Sequence, residues 1–449
     1  MPRRAARVQS DAPVEQLIAG LTTDELREVV SAAVDRHRDV ERQVRLVAAR
    51  GTGGLAQLRA EVDRSLRTRR FLDYGESAGW ARAARPIIAE LDNAVDASPS
   101  WELVELLQRA IGHVVKVIMH ADDSDGLIGD LARELLALHA RACDAGAADP
   151  DELAAWMVRF GFDDQDFFEV DPVRYASALG EAGLAAYRDA VDARRNGDSF
   201  AVRYARERLA ILDRDIDAMV KLLGGDLTTP YQFIRVTEAM RELGLDDEVL
   251  AWAKRGIAQT SGWQVSQLYD LACDVHDARG KPLEVLALRR AQHERMPSSS
   301  TYRALRAAAE ALDAWGLEQE AARATLERTD ARGFVEALLG DDELELAWSA
   351  AQAAPRDALG SDLWLRLAER REPDRPADAL AVYRRIADKV LEQADRRAYR
   401  SAAWILQRAR AAAQAADELD AFADYLTGVR ERYRRRPTLI AILDKAGLR

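Results

Sequence analysis

Apolar residues recur every three or four positions through most of the chain, which is the spacing of amphipathic α-helices. The pattern is most regular between Thr229 and Arg328, where pairs of helical segments are broken at Gly244, Gly280 and Gly316. Each interval between these glycines is 36 residues, close to the roughly 34 residues of a tetratricopeptide unit. The pattern therefore predicts an all-α fold, a tetratricopeptide-like α-solenoid of helical hairpins preceded by an N-terminal helical bundle.

The regularity of the pattern changes along the chain and predicts five segments. These are a flexible arm at 1–12, a helical domain at 13–148, an aromatic-rich helical joint at 149–225, regular hairpins at 226–328, and irregular hairpins with a terminal cap at 329–449. Three predictions are more detailed. We expect a helix at 39–49 closed by the glycines of 51–54, one continuous helix at 199–223, and a short terminal helix that begins at Pro437.

Composition favours a folded protein, because 48% of the residues are hydrophobic and 31% are charged. The net charge of −12 opposes general attraction to nucleic acid or to anionic membranes. The two cysteines, Cys143 and Cys273, are too few for a disulfide framework. No stretch has the length and apolarity of a membrane span or an export signal, so we expect a cytoplasmic protein that contacts no membrane.

Two arginine clusters are candidate nucleic-acid contacts. The alternative is that they are solvated helix ends, where arginines face the negative pole of the helix. The clusters comprise Arg64, Arg67, Arg69 and Arg70 near Phe71 and Tyr74, and Arg430, Arg432, Arg434, Arg435 and Arg436 near the C-terminus. Because the whole chain is acidic, the solvated interpretation is the favoured one for both clusters.

The string from His120 to Asp130 is the part of the sequence that most resembles a metal site. A calcium loop of the EF-hand type needs oxygen ligands at positions one and twelve, but Ala121 and Ala132 occupy those positions. We therefore expect its aspartates to cap the following helix. His113 and His120 are seven residues apart and could share a helix face with Asp122 or Asp123, yet a third ligand at helical spacing is missing. The sequence thus predicts structural histidines, no metal and no cofactor.

Five aromatic residues between positions 160 and 175 interrupt the alanine-rich pattern. They could form a ligand pocket, or they could pack two helical blocks together, and the second interpretation is favoured. They are Phe160, Phe162, Phe167, Phe168 and Tyr175.

Two catalytic sequence motifs are absent from the chain: it contains no HExxH and no GxxxxGK[ST]. We therefore expect a protein that is not an enzyme. A site assembled from distant helices would escape such a search, and Asp122, Asp123 and Asp125 with His120 are the first residues at which to look for one.

Several strings, in order along the chain, resemble the C-terminal helical region of bacterial SWIM zinc-finger proteins. They include FLDYGESAGWAR from Phe71, DDSDGLIGDLARELLALHARAC from Asp122, YASALGEAGLAAYR from Tyr175, TPYQFIRVTEAMRELGLDDEVLAWAKRGI from Thr229, and LDKAGL from Leu443. The resemblance implies a helical-repeat region that follows a zinc finger of the form Cys-x-Cys and Cys-x-His. This chain has neither cysteine pattern, so the resemblance carries over no zinc ligand and no catalytic residue.

The favoured function is a non-catalytic scaffold that mediates protein–protein interaction, because solenoids present extended concave surfaces. The alternatives are a nucleic-acid-associated accessory protein and an enzyme with an unrecognised site. In the favoured interpretation, the first helix of each hairpin contacts the protein or peptide partner. The predicted contact residues are Tyr231, Gln232, Arg235, Gln264, Gln267, Tyr302, Arg303 and Arg306.

Overall fold

The computed structural model describes residues 14–37, 40, 41, 44, 54–194, 199–355 and 357–449. Within these residues the chain forms 23 α-helices and one isolated parallel bridge between Leu72 and Ala121, so the predicted all-α class is confirmed. The predicted arm at 1–12 and most of the predicted helix at 39–49 lie outside the described residues. No helix among the described residues is long and apolar enough to cross a membrane.

The chain divides into two compact units, Met1–Gly225 and Asp226–Arg449, which we call the N-terminal and C-terminal units. The predicted start of the regular hairpins at 226 lies at this boundary, while the predicted divisions at 148 and 328 lie inside the units. The helices of the N-terminal unit are α1 Val14–Ala19, α2 Thr23–Arg36, α3 Gly54–Ser65, α4 Tyr74–Ala97, α5 Trp101–Ile118, α6 Leu127–Ala142, α7 Pro150–Phe162, α8 Pro172–Ala193, α9 Phe200–Leu212 and α10 Ile216–Gly224.

The C-terminal unit continues as helices that pack in consecutive pairs. They are α11 Pro230–Glu242, α12 Asp246–Gln259, α13 Val265–Ala278, α14 Pro282–Arg295, α15 Ser299–Glu310, α16 Trp315–Thr329, α17 Ala331–Gly340, α18 Leu344–Ala353, α19 Gly360–Arg371, α20 Pro376–Leu391, α21 Arg396–Ala415, α22 Leu419–Arg432 and α23 Pro437–Lys445. The last of these begins at Pro437, as the sequence predicts, since proline at the first helical position loses no hydrogen bond.

Short polar side chains begin many of these helices by accepting hydrogen bonds from unpaired backbone N–H groups. Asp73 caps α4 through the N–H of Glu76, and Ser100 caps α5 through the N–H of Leu103. Asp149 accepts from two N–H groups at the start of α7. These caps fix where each helix begins, independently of its packing.

The first four hairpin turns of the C-terminal unit each contain a residue with left-handed backbone geometry. Gly244 and Gly280 supply it at the first two turns, with φ of 68° and 63°. The next two turns use Asp313 and Asp342, with φ of 53° and 64°. The prediction that Gly316 breaks the third hairpin is therefore wrong, because Gly316 lies in the first turn of α16. Aspartate can replace glycine here since its short side chain tolerates the left-handed region.

This difference between the glycines predicts opposite effects of alanine substitution. Gly280→Ala should lower the free energy of unfolding by about 1 kcal/mol, because a Cβ atom disfavours the left-handed conformation. Gly316→Ala, the matched control, should raise it by up to about 1 kcal/mol, because the position is helical and a Cβ there meets no atom within 4 Å. Urea unfolding followed by circular dichroism measures both. A loss of stability in Gly316→Ala would contradict the assignment of the turn to Asp313.

The prediction of one continuous helix at 199–223 is wrong. The chain leaves α9 at Arg214, whose φ is 55°, and re-enters a helix as α10. Asp215 begins α10 by accepting the N–H of Ala218 at 3.0 Å. Apolar periodicity continues through this break, and therefore the pattern alone does not reveal it.

Most of the aromatic residues of the predicted joint lie in the core of the N-terminal unit. Phe160, Phe168 and Tyr175 are buried, and Phe162 is half-buried against that core. Phe167 differs, because about half of its surface is exposed (49%). The buried amide of Gln165 holds the loop between α7 and α8 by donating to two backbone carbonyls and accepting from two backbone N–H groups. This arrangement satisfies all of its hydrogen-bonding capacity.

Candidate functional site

A basic pocket with a volume of about 600 Å³ lies on the N-terminal unit, where the end of α3 meets the end of α5. Its walls come from three places: the last turn of α3 and the segment after it, the second half of α5, and the residue pair that follows α5. Five of its seven lining residues carry basic groups. The lining residues are Asp63, Arg67, Thr68, Arg69, His113, Lys116 and His120.

Helical spacing and the single backbone bridge bring these residues together. His113, Lys116 and His120 lie at intervals of three and four residues, which places them along one face of α5 and its continuation. The N–H of Leu72 donates to the carbonyl of His120 at 3.0 Å, and the N–H of Asp122 donates to the carbonyl of Leu72 at 2.8 Å. Because these bonds fix the segment after α3 against the end of α5, the first arginine cluster and the histidine pair share one site.

The carboxylate of Asp63 is already occupied by two basic partners. Arg109 donates to it from Nε at 2.6 Å and from Nη2 at 2.8 Å, and Nε2 of His113 lies 2.8 Å from Oδ1. The hydrogen bond from Arg109 is the main cause that lowers the pKa of Asp63 far below its usual value. Since an ionised carboxylate only accepts hydrogen bonds, Nε2 of His113 carries a proton. Burial lowers the pKa of His113, which favours its neutral form at pH 7.

The cations of the first arginine cluster differ in what they contact. Arg64 pairs with Glu61, and Arg70 pairs with Glu76. By contrast, no carboxylate among the described residues pairs with the other three exposed cations of the pocket, Arg67, Arg69 and Lys116. Three unpaired cations around one concave surface are suited to bind an anion.

A second pocket of about 440 Å³ adjoins the first and has a more apolar wall. Arg67 and Thr68 line both pockets. The apolar lining of the second pocket comes mainly from Leu72, Trp80 and Ala83, which lie around the first turns of α4. The two pockets together therefore offer cationic groups beside an aromatic and aliphatic surface.

The C-terminal arginine cluster is largely used for structure. Arg430 donates to the carbonyl of Leu448 and to Asp444, and thereby ties the end of the chain to α22. Arg436 donates to the carbonyl of Leu391 and lies 4.6 Å from the ring centroid of Tyr433. Arg432, Arg434 and Arg435 are exposed. Arg432 pairs with Asp388, and Arg434 pairs with Glu431.

The structure places several of the predicted partner-contact residues in structural roles. Tyr302 is 1% exposed and lies in the core, so it cannot contact a partner directly. Arg306 donates to Asp341 and Glu310, and Gln232 accepts from the backbone N–H groups of Thr228 and Thr229 at the start of α11. The predicted partner contacts rested on residue type and helix position alone. Neither of these shows which hydrogen bonds a side chain makes within the folded chain.

The other predicted contact residues are at least partly exposed and lie on the first helices or, for Gln264, just before one. Arg235 lies over the ring of Tyr231 at 5.8 Å, and more than half of Tyr231 is exposed (56%). Gln267 donates to Glu238 on the neighbouring first helix, and Arg303 is exposed and donates to a backbone carbonyl of its own helix. Gln264 is half-buried at the position before α13.

A row of exposed leucines in the C-terminal unit was not predicted. Leu283, Leu317 and Leu346 lie at the second or third residue of the second helices α14, α16 and α18. Their exposed fractions are 71%, 85% and 52%, although leucine is usually buried. The signal in the sequence is an apolar residue in the first turn of the second helix of three successive hairpins, outside the face that packs the hairpin.

The acidic string before α6 forms a cap, as the sequence predicts. Both carboxylate oxygens of Asp123 accept backbone N–H groups, one from Ile128 and one from Gly129, each at 2.9 Å. Asp125 accepts the hydroxyl of Tyr74 at 2.7 Å. Within the described part of the chain, no group of three or more histidine, cysteine or acidic side chains could hold a metal ion.

His139 and Cys143 form a contact that the sequence did not predict. His139 is fully buried, with Nδ1 3.0 Å from the hydroxyl of Tyr175 and Nε2 3.2 Å from Gln108. The Sγ atom of Cys143 lies 3.8 Å from Nε2 of His139 at the start of a π-helical turn. Burial raises the pKa of the Cys143 thiol to about 12, so the thiol stays protonated and is a poor nucleophile. The contact therefore serves packing.

Comparison with protein-family models and with curated protein sequences finds no match to this chain.

Proposed function

We propose that this protein is a non-catalytic helical-repeat scaffold that binds a protein partner through its C-terminal unit. The observation that carries the proposal is the exposure of Leu283, Leu317 and Leu346 in the first turns of the second helices of three successive hairpins. Single exposed leucines are common on protein surfaces, whereas exposed leucines near the start of successive second helices favour a binding surface. We call these three residues the leucine row.

The row favours a protein over a polyanion as the partner. Leucine side chains gain free energy when they leave water, at roughly 25 cal/mol per Å² of apolar surface. Phosphate groups offer no such surface, and the arginines at the C-terminus are mostly engaged with the chain itself. The resemblance to the helical region of SWIM zinc-finger proteins belongs to the same proposal, because that region is also a helical-repeat array.

The binding site could be the leucine row or the surface of the first helices, and two variants distinguish between them. The first variant changes the leucine row to serine at all three positions. The second substitutes Arg235, Gln267 and Arg303 with alanine, and so removes polar groups from the surface of the first helices. Tagged wild-type protein and both variants are used to capture partners from the native cell, and captured proteins are identified by mass spectrometry.

We expect a partner that is retained by the wild type and by the second variant and is lost from the leucine-row variant. Thermal unfolding should be unchanged or slightly improved in that variant, because exposed leucines contribute little to the core. Loss in the second variant alone would assign binding to the first helices. Retention of every specifically captured protein by both variants would reject both surfaces.

A further inference from the structure

The basic pocket of the N-terminal unit combines unpaired positive charge with a concave shape. Arg67, Arg69 and Lys116 are exposed, line the pocket and pair with no carboxylate among the described residues. A volume of about 600 Å³ lies within the range of small-molecule sites, roughly 300–1,000 Å³.

The charge balance at the pocket remains positive when the helix dipoles are included. The carboxyl ends of α3 and α5 both lie at the pocket, and each contributes about −0.5 charge. The charge of Asp63 is balanced by Arg109, which binds it through two hydrogen bonds. Three unpaired cations therefore exceed the negative poles by about two charges. This excess matches a phosphate dianion, which carries about −1.5 to −2 charge at neutral pH and offers three acceptor oxygens.

Hydrogen-bond donors of the right type surround the same space. The guanidinium groups of Arg67 and Arg69 present planar pairs of N–H donors, and the ammonium group of Lys116 presents three. Thr68 adds a hydroxyl, which can donate to an oxyanion.

The surroundings favour a compact anion over an extended one. The backbone bridge places Asp122 directly beside Leu72, and Asp73 follows Leu72 in the chain. Asp125 lies in the same acidic turn and is held there by the hydroxyl of Tyr74. A long polyanion that continued from the pocket over this edge would meet carboxylates, whereas a single phosphate group would not.

We propose that this pocket binds a phosphate dianion, held by Arg67, Arg69 and Lys116, either as free phosphate or as the terminal group of a small organic phosphate. The second pocket distinguishes these two sources. An organic phosphate can place its remaining part against Trp80 and Ala83, because Arg67 and Thr68 line both pockets.

Calorimetric titration of the full chain at low ionic strength tests the proposal. The probes are inorganic phosphate, adenosine monophosphate and adenosine. We expect saturable binding of the two phosphates and none of adenosine. Tighter binding of adenosine monophosphate than of inorganic phosphate would assign the site to organic phosphates, and equal or weaker binding would assign it to free phosphate.

Three variants connect the binding to the pocket. Replacing Arg67, Arg69 and Lys116 with glutamine should weaken phosphate binding by roughly a hundredfold or more, since several charge-assisted hydrogen bonds are lost. The control replaces the exposed Arg203, Arg206 and Lys221 of the same unit with glutamine, which changes the net charge equally and should leave binding unchanged. The variant Arg67→Lys with Arg69→Lys keeps the charge and should retain saturable binding.

Several outcomes would overturn the proposal. One is the absence of saturable binding by either phosphate up to about 10 mM, a concentration that detects affinities near a millimolar. Another is equal weakening in the pocket variant and its control, which would indicate general charge attraction. The third is binding of a single-stranded oligonucleotide that neither phosphate displaces, which would favour the nucleic-acid interface. These tests concern the N-terminal unit and are independent of the leucine row.

Discussion

Asp341→Ala should lower the free energy of unfolding by about 3 kcal/mol, because it removes a buried carboxylate and leaves the partly exposed Arg306 and Arg323 without their counter-charge. The side chain of Asp341 is 4% exposed. It accepts hydrogen bonds from Tyr302 at 2.6 Å, from Arg323 at 2.6 Å and from Arg306 at 2.5 Å. This carboxylate thereby joins α15 and α16 to the end of α17, and its loss affects three helices.

Two matched variants test whether the loss of stability comes from the hydrogen bonds and ion pairs of the buried Asp341 carboxylate. Tyr302→Phe removes the hydroxyl that donates to Asp341 and accepts from Nε of Arg323, and it keeps the charges, so it should cost about 1–2 kcal/mol. Asp274→Ala removes a carboxylate whose side chain is 63% exposed and which lies 3.5 Å from Arg241, so it should change stability by less than about 1 kcal/mol. Chemical unfolding measures all three. Equal losses for Asp341→Ala and Asp274→Ala would contradict the network.

The stability that Asp341 contributes should also decrease as the pH is lowered. Burial raises the pKa of this carboxyl, but hydrogen bonds from Tyr302 and Arg323 and the charges of the two arginines outweigh burial, and the pKa is lowered overall. A lowered folded-state pKa stabilises the fold above the unfolded value of about 3.9, and this contribution is lost as the pH falls through the folded value. The difference between wild type and Asp341→Asn should therefore shrink in acid.

Gly256→Ala should destabilise the C-terminal unit by about 1–3 kcal/mol, although alanine is the better helix former. Gly256 lies inside α12, where it faces the core between α11 and α13. A Cβ atom there would lie 2.7 Å from Phe233 and 2.7 Å from Leu268, and both of these side chains are fully buried. Because real contacts are not this short, the two side chains would have to move.

Gly428→Ala is the control for this substitution. Gly428 lies inside α22, it is exposed, and a Cβ atom there would meet nothing within 4 Å. This variant should gain about 0.5–1 kcal/mol, because glycine costs that much relative to alanine in a helix. Thermal unfolding of the two variants should thus shift in opposite directions. A stabilised Gly256→Ala protein would mean that α11, α12 and α13 do not approach this closely.

Most of the secondary structure was predictable because its causes lie close together in the chain. The left-handed turns at Gly244 and Gly280 and the start of α23 at Pro437 follow from the conformational limits of those residue types. The break at Arg214 was not predictable, because nothing about an arginine favours a left-handed conformation. The cap at Asp215 fixes where α10 begins once the chain has left α9.

The parts of the candidate site were visible in the sequence, but their association was not. The arginines at 64–70 and the histidine pair are about fifty residues apart. The sequence suggested a nucleic-acid contact for the arginines and, separately, a metal site for the histidines. The bridge between Leu72 and Ala121 unites them in one pocket. In the same way, helix position predicted that Tyr302 faces a partner, whereas its hydroxyl reaches a buried carboxylate on another helix.

The sequence by itself determined that the chain is helical, that its helices pair as hairpins, and where most of them begin and end, because periodicity, caps and turn residues act over a few positions. Only the tertiary structure decided which charged residues are engaged and which are left for a ligand. Arg67, just after α3, and Arg306, inside α15, are the same residue type, yet only Arg306 meets a carboxylate, Asp341. Which charges meet depends on contacts between distant segments, and a pattern of neighbouring residues carries no information about them.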